Sequence, residues 1–326
     1  MNDRDEIIKI LREQQRFSLA AHVLPDGDSI GSLLALGEAL ARAGKEIKLF
    51  SPGKVPQKYT FLRGSEKIAA AGLVLQPDTV VIALDSSDPE RLGPFAETIK
   101  QARCLINIDH HVTNVRYGTL NLVEPEAAAT GEIIYRLLAD MGIPLTESMA
   151  EALYVAIATD TGSFKFENTT PATHRTAAAL LEHQINPAVL SQRVFDERPL
   201  SYYILLKEAL SSLELHGDNR IALITVSKEM LERCGTTVEE IDGIINYTRD
   251  IEGIELGILI YVESPEEVKV GFRSRRADVS LLAQQFNGGG HARAAGCRIH
   301  GAYAPVKEKI LLQAQKLLQE TAGKEG

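Results

Sequence analysis

Aspartate and histidine residues cluster at four points of this 326-residue chain, each at or just after the end of an apolar run. The four segments read "AAHVLPDGDSIGS", "VVIALDSSDPERLG", "NIDHHVTN" and "IATDTGSF". They supply up to five aspartates and three histidines, in the order His22, Asp26, Asp28, Asp85, Asp109, His110, His111 and Asp160. Because such side chains are rarely buried without partners, their placement points to chemistry.

If these carboxylates converged without a counter-charge, repulsion and desolvation would cost several kcal/mol for each buried ion. Divalent cations are the simplest remedy. Carboxylate oxygens with imidazoles favour manganese or magnesium over zinc, with iron, cobalt and nickel as alternatives. Cys104, Cys234 and Cys297 form no CxxC pair, which excludes a cysteine-built zinc site. Two cations about 3.5–4 Å apart would share a bridging carboxylate, and such pairs serve phosphoryl-transfer hydrolysis.

Each segment alone also has a structural explanation. Asp28 or Ser29 would cap the helix that follows, which leaves His22 and Asp26 unexplained. Asp160 would end a helix beside a glycine, where its negative charge is unfavourable with respect to the helix dipole. A bound cation would remove that cost.

Strands and helices alternate in the first half of the chain. "FSLAAHV", "EIKLF", "VVIAL" and "CLINI" are predicted strands, and "SIGSLLALGEALARAG" is a predicted helix. Strands that are apolar on both faces indicate a parallel sheet between helices, so the fold class is α/β. Ligands bind such sheets at the carboxyl ends of the strands, where the acidic residues lie.

The pattern changes in the second half. From about residue 127 the chain is mostly helical, and after the turn "HGDN" at 216–219 new strands follow. They are "RIALITV" and the pair "IELGILIYVES" and "PEEVKVGFRS", and "GGGHARAAGCRI" is a glycine loop leading into a strand. We predict a metal-binding catalytic domain over 1–186, a helical linker over 187–215 and a smaller domain over 216–326.

Charge and composition limit the partners. The net charge of −9 argues against a wide basic surface for gripping long duplex nucleic acid, but allows a small anionic substrate. The apolar runs are too short to span a bilayer, and "MNDRDEIIKI" has no apolar signal region. We therefore predict a cytoplasmic protein with no membrane partner. Apolar helices such as 147–159 make a homodimer plausible.

Six motifs in order resemble those of a known superfamily. "HVLPDGDSIGS", "ALDSSD", "DHH" and "TDTGSF" resemble the four motifs of the DHH phosphoesterases, and "GFRS" with "GGGHARAAG" resembles the associated DHHA1 domain. The resemblance runs from about residue 16 to about residue 300. The short architecture is similar to the nanoRNase and pAp phosphatase type. It implies a five-stranded parallel sheet, a second domain with a mixed sheet, and an active site in the cleft between them.

The resemblance also implies metal ligands and catalytic residues. Carried over by position, it assigns His22, Asp26 and Asp85 to one cation, and Asp28, Asp85, His110 and Asp160 to the other. Asp85 would be the bridge and a catalytic residue. Asp109 and His111 would orient a ligand or meet the phosphate, with His111 helping the leaving group depart.

Residues of the C-terminal motifs are candidates for substrate binding. Glycines such as Gly289 and Gly290 let backbone amides approach an anion closely, and His291 adds a side-chain donor. Arg273, at the end of a predicted strand, could pair with a phosphate through two hydrogen bonds. Ser274 is the weaker candidate beside it. In similar enzymes this arginine and this loop hold the substrate's phosphate and nucleotide.

The function implied is a metal-dependent phosphoesterase. It would hydrolyse short oligoribonucleotides to nucleoside monophosphates and remove the 3′-phosphate of pAp, by attack of a water activated by two divalent cations. Mn²⁺ is the favoured cofactor, with Mg²⁺ or Co²⁺ as alternatives. The segment "EPEAAATGE" departs from the pattern of the family that the chain resembles. Where those relatives often carry serines, this chain has alanines, and Thr130 is the remaining residue with a hydroxyl.

Alternatives remain open at the level of sequence. A phosphodiesterase for cyclic dinucleotides or for pApA would carry the same motifs. A non-catalytic nucleotide-binding regulator would have no need for the complete set of metal ligands. An inorganic pyrophosphatase would want a lysine-rich clamp, in place of the "GGGHARAAG" seen here.

Overall fold

The structure is a computed structural model that describes residues 3–241 and 243–322, apart from the side chains of residues 239, 291 and 322. The chain divides into two compact units between Glu197 and Arg198. The predicted domain limits, 1–186, 187–215 and 216–326, stay predictions.

The first unit is built on a parallel sheet, as predicted. Within the described residues its six strands are ordered β3-β2-β1-β4-β5-β6. They are β1 (Arg16–Ala20), β2 (Glu46–Phe50), β3 (Ile68–Ala69), β4 (Thr79–Leu84), β5 (Cys104–Asp109) and β6 (Leu120–Val123). The resemblance implied five strands. The sixth is accounted for by β3, a two-residue edge strand whose pairing involves only Leu49 with Ile68 and Phe50 with Ala69.

Helices cover both faces of this sheet. The α-helices are α1 (Asp3–Glu13), α2 (Gly27–Arg42), α3 (Ala96–Ile99), α4 (Thr130–Met141), α5 (Glu147–Asp160), α6 (Pro171–Leu181) and α7 (Pro187–Ser191). Shorter 3₁₀ turns span Gln57–Tyr59, Ser65–Lys67 and Pro89–Phe95, and a π turn spans Gln192–Asp196. Strand β4 is buried throughout: Val80 and Ile82 join the core under α2, α4 and α5, whereas Val81 and Ala83 pack with Leu92 on the other face. Alternation of side chains along a strand explains this division.

Helices α2 and α5 pack at very short range. A Cβ placed at Gly31 would lie 2.2 Å from the carbonyl oxygen of Ala152, and one at Gly27 would lie 2.4 Å from Thr159 Oγ1. The two helices therefore run antiparallel, with the start of α2 beside the end of α5. Because α5 lies in the first unit's core, it lends no support to the predicted homodimer, which stays a prediction.

The second unit holds a mixed sheet, as predicted. Its strand order is β11-β12-β10-β9-β8-β7, and β8 and β9 are parallel whereas the other pairs are antiparallel. The strands are β7 (Glu214–His216), β8 (Ile221–Ser227), β9 (Leu256–Ser264), β10 (Glu267–Ser274), β11 (Gly289–His291) and β12 (Ala294–His300). The helices are α8 (Leu200–Ser211), α9 (Lys228–Cys234), α10 (Asn246–Arg249), α11 (Val279–Gln284) and α12 (Tyr303–Ala322), with a 3₁₀ turn at Val238–Ile241.

Helix α8 buries Tyr202 and Leu205 in a cluster with Ile224 and Leu259 of β8 and β9. One detail differs from the prediction for this half. The glycine stretch predicted as a loop forms the short strand β11, which pairs with β12. The pairing of β11 joins residues only three to seven positions apart, across the tight turn at 292–293. No helix in the described part of the chain is long and apolar enough to cross a bilayer.

Candidate metal centre

The candidate ligands meet where the strand order of the first sheet reverses, between β1 and β4. A crevice opens at the carboxyl ends of the strands at such a point, and open α/β sheets bind ligands there. His22 follows β1, Asp85 follows β4 directly, and Asp109 ends β5 with His110 next to it. The sheet topology thus brings together segments more than sixty residues apart in sequence.

Asp26 caps helix α2. Its Oδ1 accepts a hydrogen bond from the amide of Ser29 at 3.0 Å, while the hydroxyl of Ser29 accepts one from the Asp26 amide. The expectation that Asp28 or Ser29 would be the cap was therefore wrong. The other oxygen of Asp26, Oδ2, lies 3.7 Å from Nε2 of His22. One oxygen of this carboxylate is used for the fold, and the second faces the site.

Asp85 stands between two groups of candidate ligands. Its Oδ2 lies 3.5 Å from Nε2 of His22, and its Oδ1 lies 3.8 Å from Nε2 of His110. The residue has a φ of 56°, a conformation uncommon outside glycine, asparagine and aspartate. The two oxygens of this carboxylate therefore face two different groups of candidate ligands.

The second group gathers around His110. Its Nε2 lies 3.8 Å from Oδ2 of Asp28 and 3.1 Å from Oδ2 of Asp160, the last residue of α5. In each of three sets, atoms able to bind a metal all lie within 4.8 Å of one another: His22, Asp26 and Asp85; Asp28, His110 and Asp160; Asp85, His110 and His111.

The start of helix α4 holds two of these carboxylates. The amides of Thr130 and Gly131 donate to Oδ2 and Oδ1 of Asp28 at 2.6 and 2.8 Å, and the Thr130 hydroxyl donates to Oδ1 of Asp85 at 3.1 Å. We did not predict the amide contacts. The contacts to Asp28 come from backbone amides, so they do not depend on a hydroxyl side chain in the segment before α4.

Asp109 orients the two histidines that follow it. Its Oδ1 lies 2.7 Å from Nδ1 of His111 and accepts from the His110 amide at 2.8 Å, while Asn114 donates to Oδ2 at 2.5 Å. Asn114 also donates to Asn107 at 2.8 Å. Neither asparagine was predicted, although both stand in "NIDHHVTN", and polar residues flanking the acidic triplet were the available signal.

Burial and mutual contact shift the pKa values of the site. Burial alone lowers the pKa of His22, but the attraction of the nearby Asp26 and Asp85 carboxylates outweighs it and raises that pKa to about 9. Burial also lowers the pKa of His110, but the contact with Asp160 and the charges of the other carboxylates outweigh it and raise that pKa to about 11. Burial, together with the charges of Asp85 and Asp160, raises the pKa of Asp28 well above its usual value.

The donor set fits divalent cations. Nε2 of His22 is buried and has no hydrogen-bond partner among the described residues, although two carboxylates lie nearby. An unpaired buried nitrogen costs free energy, and a cation held jointly with those carboxylates would satisfy it. The same cations would relieve the repulsion that raises the pKa of Asp28.

The candidate substrate-binding residues lie in the second unit. Arg273, in β10, donates from Nη1 to the carbonyl of Phe272 at 3.0 Å. The Ser274 hydroxyl is buried and donates to the carbonyl of Ala277, so it has a structural partner. A Cβ at Gly290 would lie 2.6 Å from Ala295 Cα, whereas one at Gly289 would meet no atom within 4 Å. The side chain of His291 lies outside the described part of the structure.

Comparison with known proteins decides the family. Residues 16–157 match the model of the DHH family, N-terminal domain, and residues 224–321 match that of the DHHA1 domain. A bifunctional oligoribonuclease and PAP phosphatase NrnA of Thermus thermophilus is 36% identical over 299 residues, which is 90% of this chain and 88% of that one. The chain belongs to the DHH family. The resemblance stated from the sequence motifs is confirmed.

Two other relatives agree over nearly the whole length. The Bacillus subtilis protein of the same name is 29% identical over 324 residues, covering 97% of this chain and 99% of its own. An exopolyphosphatase-related protein of Bacteroides fragilis superposes with a TM-score of 0.90 at 25% identity and covers 97% of both chains. This DHH family chain therefore shares its architecture from end to end with these relatives.

Proposed function

We propose that this DHH family chain is a metal-dependent phosphoesterase that hydrolyses short oligoribonucleotides and the 3′-phosphate of pAp. The observation that carries the proposal is Asp85, whose two oxygens face His22 on one side and His110 on the other. A shared carboxylate between two ligand groups is the arrangement expected for a pair of cations that act on one phosphate. Relatives named as oligoribonuclease and PAP phosphatase support the choice of substrate.

The proposed ligands follow the two groups of contacts. One cation would be held by His22, Asp26 and Asp85, and the other by Asp28, Asp85, His110 and Asp160. Oxygen ligands with a minority of imidazoles favour Mn²⁺, with Mg²⁺ or Co²⁺ as alternatives. When bound, such a pair lowers the pKa of a water molecule and neutralises charge on the phosphate.

The protein's own side chains hold and orient the reactants. Asp109 fixes the ring of His111 through Nδ1 and thereby directs its Nε2 edge away from the Asp109 carboxylate. From that position His111 is proposed to assist the leaving oxygen. Asp109 is proposed to act through the two histidines that it orients.

The second unit is proposed to bind the non-reacting end of the substrate. Arg273, with its planar guanidinium, suits a phosphate, and the exposed backbone at Gly289 is open to an anion. Gly290 and His291 are proposed to share this role. Ser274 is proposed to support the loop that carries Ala277, since its hydroxyl donates there.

Product analysis on a panel of substrates tests the function. The purified chain would be incubated with pAp, pApA, RNAs of two to five nucleotides, a longer RNA and cyclic di-AMP, with Mn²⁺ added or chelated. We expect AMP from pAp and mononucleotides from the short RNAs when Mn²⁺ is present, and no product when it is chelated. Preferred turnover of cyclic di-AMP or pApA would favour the dinucleotide phosphodiesterase. Nucleotide binding without any metal-dependent product would favour the regulator and contradict the proposal.

A further inference from the structure

Arg91 is anchored beside the candidate metal centre. It lies in the 3₁₀ turn Pro89–Phe95 that follows β4, and its amide donates to Oδ1 of Asp88 at 3.0 Å. Its carbonyl accepts a hydrogen bond of 2.8 Å from the amide of Val23, the residue after His22. The backbone of Arg91 is therefore tied to the loop that carries the first candidate ligands.

The guanidinium of Arg91 is directed at His111. Its Nη1 lies 3.3 Å from Nε2 of His111. A guanidinium only donates hydrogen bonds, so the imidazole accepts through Nε2 and its Nδ1 carries the hydrogen that faces Asp109, at 2.7 Å. The ring of His111 is thus held on one edge by Asp109 and on the other by Arg91.

Within the described part of the chain, the guanidinium of Arg91 forms no ion pair with an acidic side chain. Its hydrogen-bond partner there is the ring of His111. Asp88, three residues before Arg91, accepts from the Arg91 amide through Oδ1, and Asp109, on the other edge of His111, is bonded to His111 and Asn114. A guanidinium has five N–H donors in a planar fork, so donors remain for an anion.

We propose that Arg91 binds a non-bridging oxygen of the phosphate group on which the enzyme acts. The inference rests on the proposed function. A phosphate oxygen is a stronger acceptor for a guanidinium than a neutral ring nitrogen, since both partners are charged. The phosphate of a mono- or diester would therefore replace His111 as the acceptor. Nε2 of His111, released from Arg91 and still oriented by Asp109 through Nδ1, would then face the same phosphate group.

The test compares Arg91→Ala and Arg91→Lys with an arginine outside the site. Binding of inorganic phosphate to the Mn²⁺-loaded protein would be measured by calorimetry, and kcat and KM by hydrolysis of pAp. We expect Arg91→Ala to weaken phosphate binding and raise KM about 10- to 100-fold, as for loss of a hydrogen bond to a charged group. Arg91→Lys keeps the charge but loses the planar fork of donors, so its phosphate affinity and KM should lie between those of the wild type and Arg91→Ala. Arg175→Ala removes an exposed arginine of α6 and should match the wild type.

Two results would overturn the proposal. Unchanged phosphate affinity and KM with a reduced kcat would mean that Arg91 only orients His111. Equal phosphate binding by all variants would mean that Arg91 does not contact the anion. If Arg91→Ala fails to fold by circular dichroism, the comparison of Arg91→Lys with wild type decides in the same way. If wild-type protein binds phosphate but does not hydrolyse pAp, the proposed function fails. The phosphate affinities of the variants still show whether Arg91 contacts the anion.

Discussion

The hydroxyl of Thr130 donates a 3.1 Å hydrogen bond to Oδ1 of Asp85, the oxygen that faces His110. Thr130→Val keeps the side-chain shape and the amide contact to Asp28 but removes this donor. We expect Mn²⁺ affinity to fall about tenfold, because partners that orient a ligand typically matter to this extent. Calorimetric titration of the metal-free protein measures it. Thr130→Ser should retain wild-type affinity, and equal binding by the valine variant would disprove the orienting role.

Asp85→Asn tests the bridging carboxylate without disturbing the backbone. Asparagine tolerates the positive φ of this position, whereas alanine would add strain of about 1–2 kcal/mol. We expect turnover of pAp to fall more than about 100-fold, since the charge shared by both ligand groups is lost. Asp78→Asn makes the same change at an exposed aspartate paired with Arg16 and should keep full activity. Ordinary turnover by Asp85→Asn would refute the assignment.

Stability of the metal-free protein should depend on pH through His22. Its folded pKa of about 9 lies above the ordinary 6.5, so the folded state binds the proton more tightly than the unfolded chain. The resulting stabilisation is complete below pH 6.5 and is lost as pH rises to 9, to the extent of roughly 3 kcal/mol. Urea unfolding in EDTA at pH 6 and pH 9 measures the difference.

The matched control for this pH dependence is His22→Gln, which should flatten the decline between the two pH values. The raised pKa values of His110 and Asp28 act with the same sign, so some decline remains in the variant. A metal-free wild type whose stability stays level or increases from pH 6 to pH 9 would contradict the prediction.

Metal binding should release protons. At pH 7.5 the metal-free site holds protons on His22 and His110, whose pKa values are about 9 and about 11, and a ligating imidazole must be neutral. We expect more than one proton released per protein when Mn²⁺ saturates the site. Calorimetry in HEPES and in Tris, which differ in ionisation enthalpy, gives the number. Identical heats in the two buffers would exclude protonated histidines in the free site.

Glu132 holds the start of α4 and should matter for folding. This buried carboxylate accepts from the amide of Ala128 at 3.1 Å, from the hydroxyl of Thr173 at 3.2 Å and from Arg136 at 2.8 Å. Glu132→Ala should lower the free energy of unfolding by about 3 kcal/mol, because it leaves buried donors unpaired. Urea denaturation checks this, with Glu126→Ala at an exposed site as the control. A loss similar to that of the control would show that the contacts contribute little.

Residue types and periodicity were sufficient to predict many of the strands and the position of the candidate ligands in this molecule. Apolar runs such as "TVVIAL" predicted the buried parallel strands, because a strand covered on both faces needs no polar alternation. The acidic and histidine residues that follow those runs predicted a metal centre at the carboxyl edge. The strand predictions are confirmed because they depend on local patterns, whereas the metal centre stays a prediction that rests on the chemistry of carboxylates and imidazoles.

The partners of these residues depended on the tertiary structure. Three contacts could not be predicted from the sequence: the capping of α2 by Asp26, the hydrogen bonds from the amides of α4 to Asp28, and the contact of Arg91 with His111. Each joins atoms whose positions depend on loop conformation or on packing. The edge strand β3 and the short strand β11 were missed for a related reason, since each exists only through pairing with a neighbour. The sequence by itself thus determined which chemical groups are available and the strand ends that carry them. Only the tertiary structure decided their neighbours, because the close packing of α2 on α5 and the reversal of strand order set the distances between atoms.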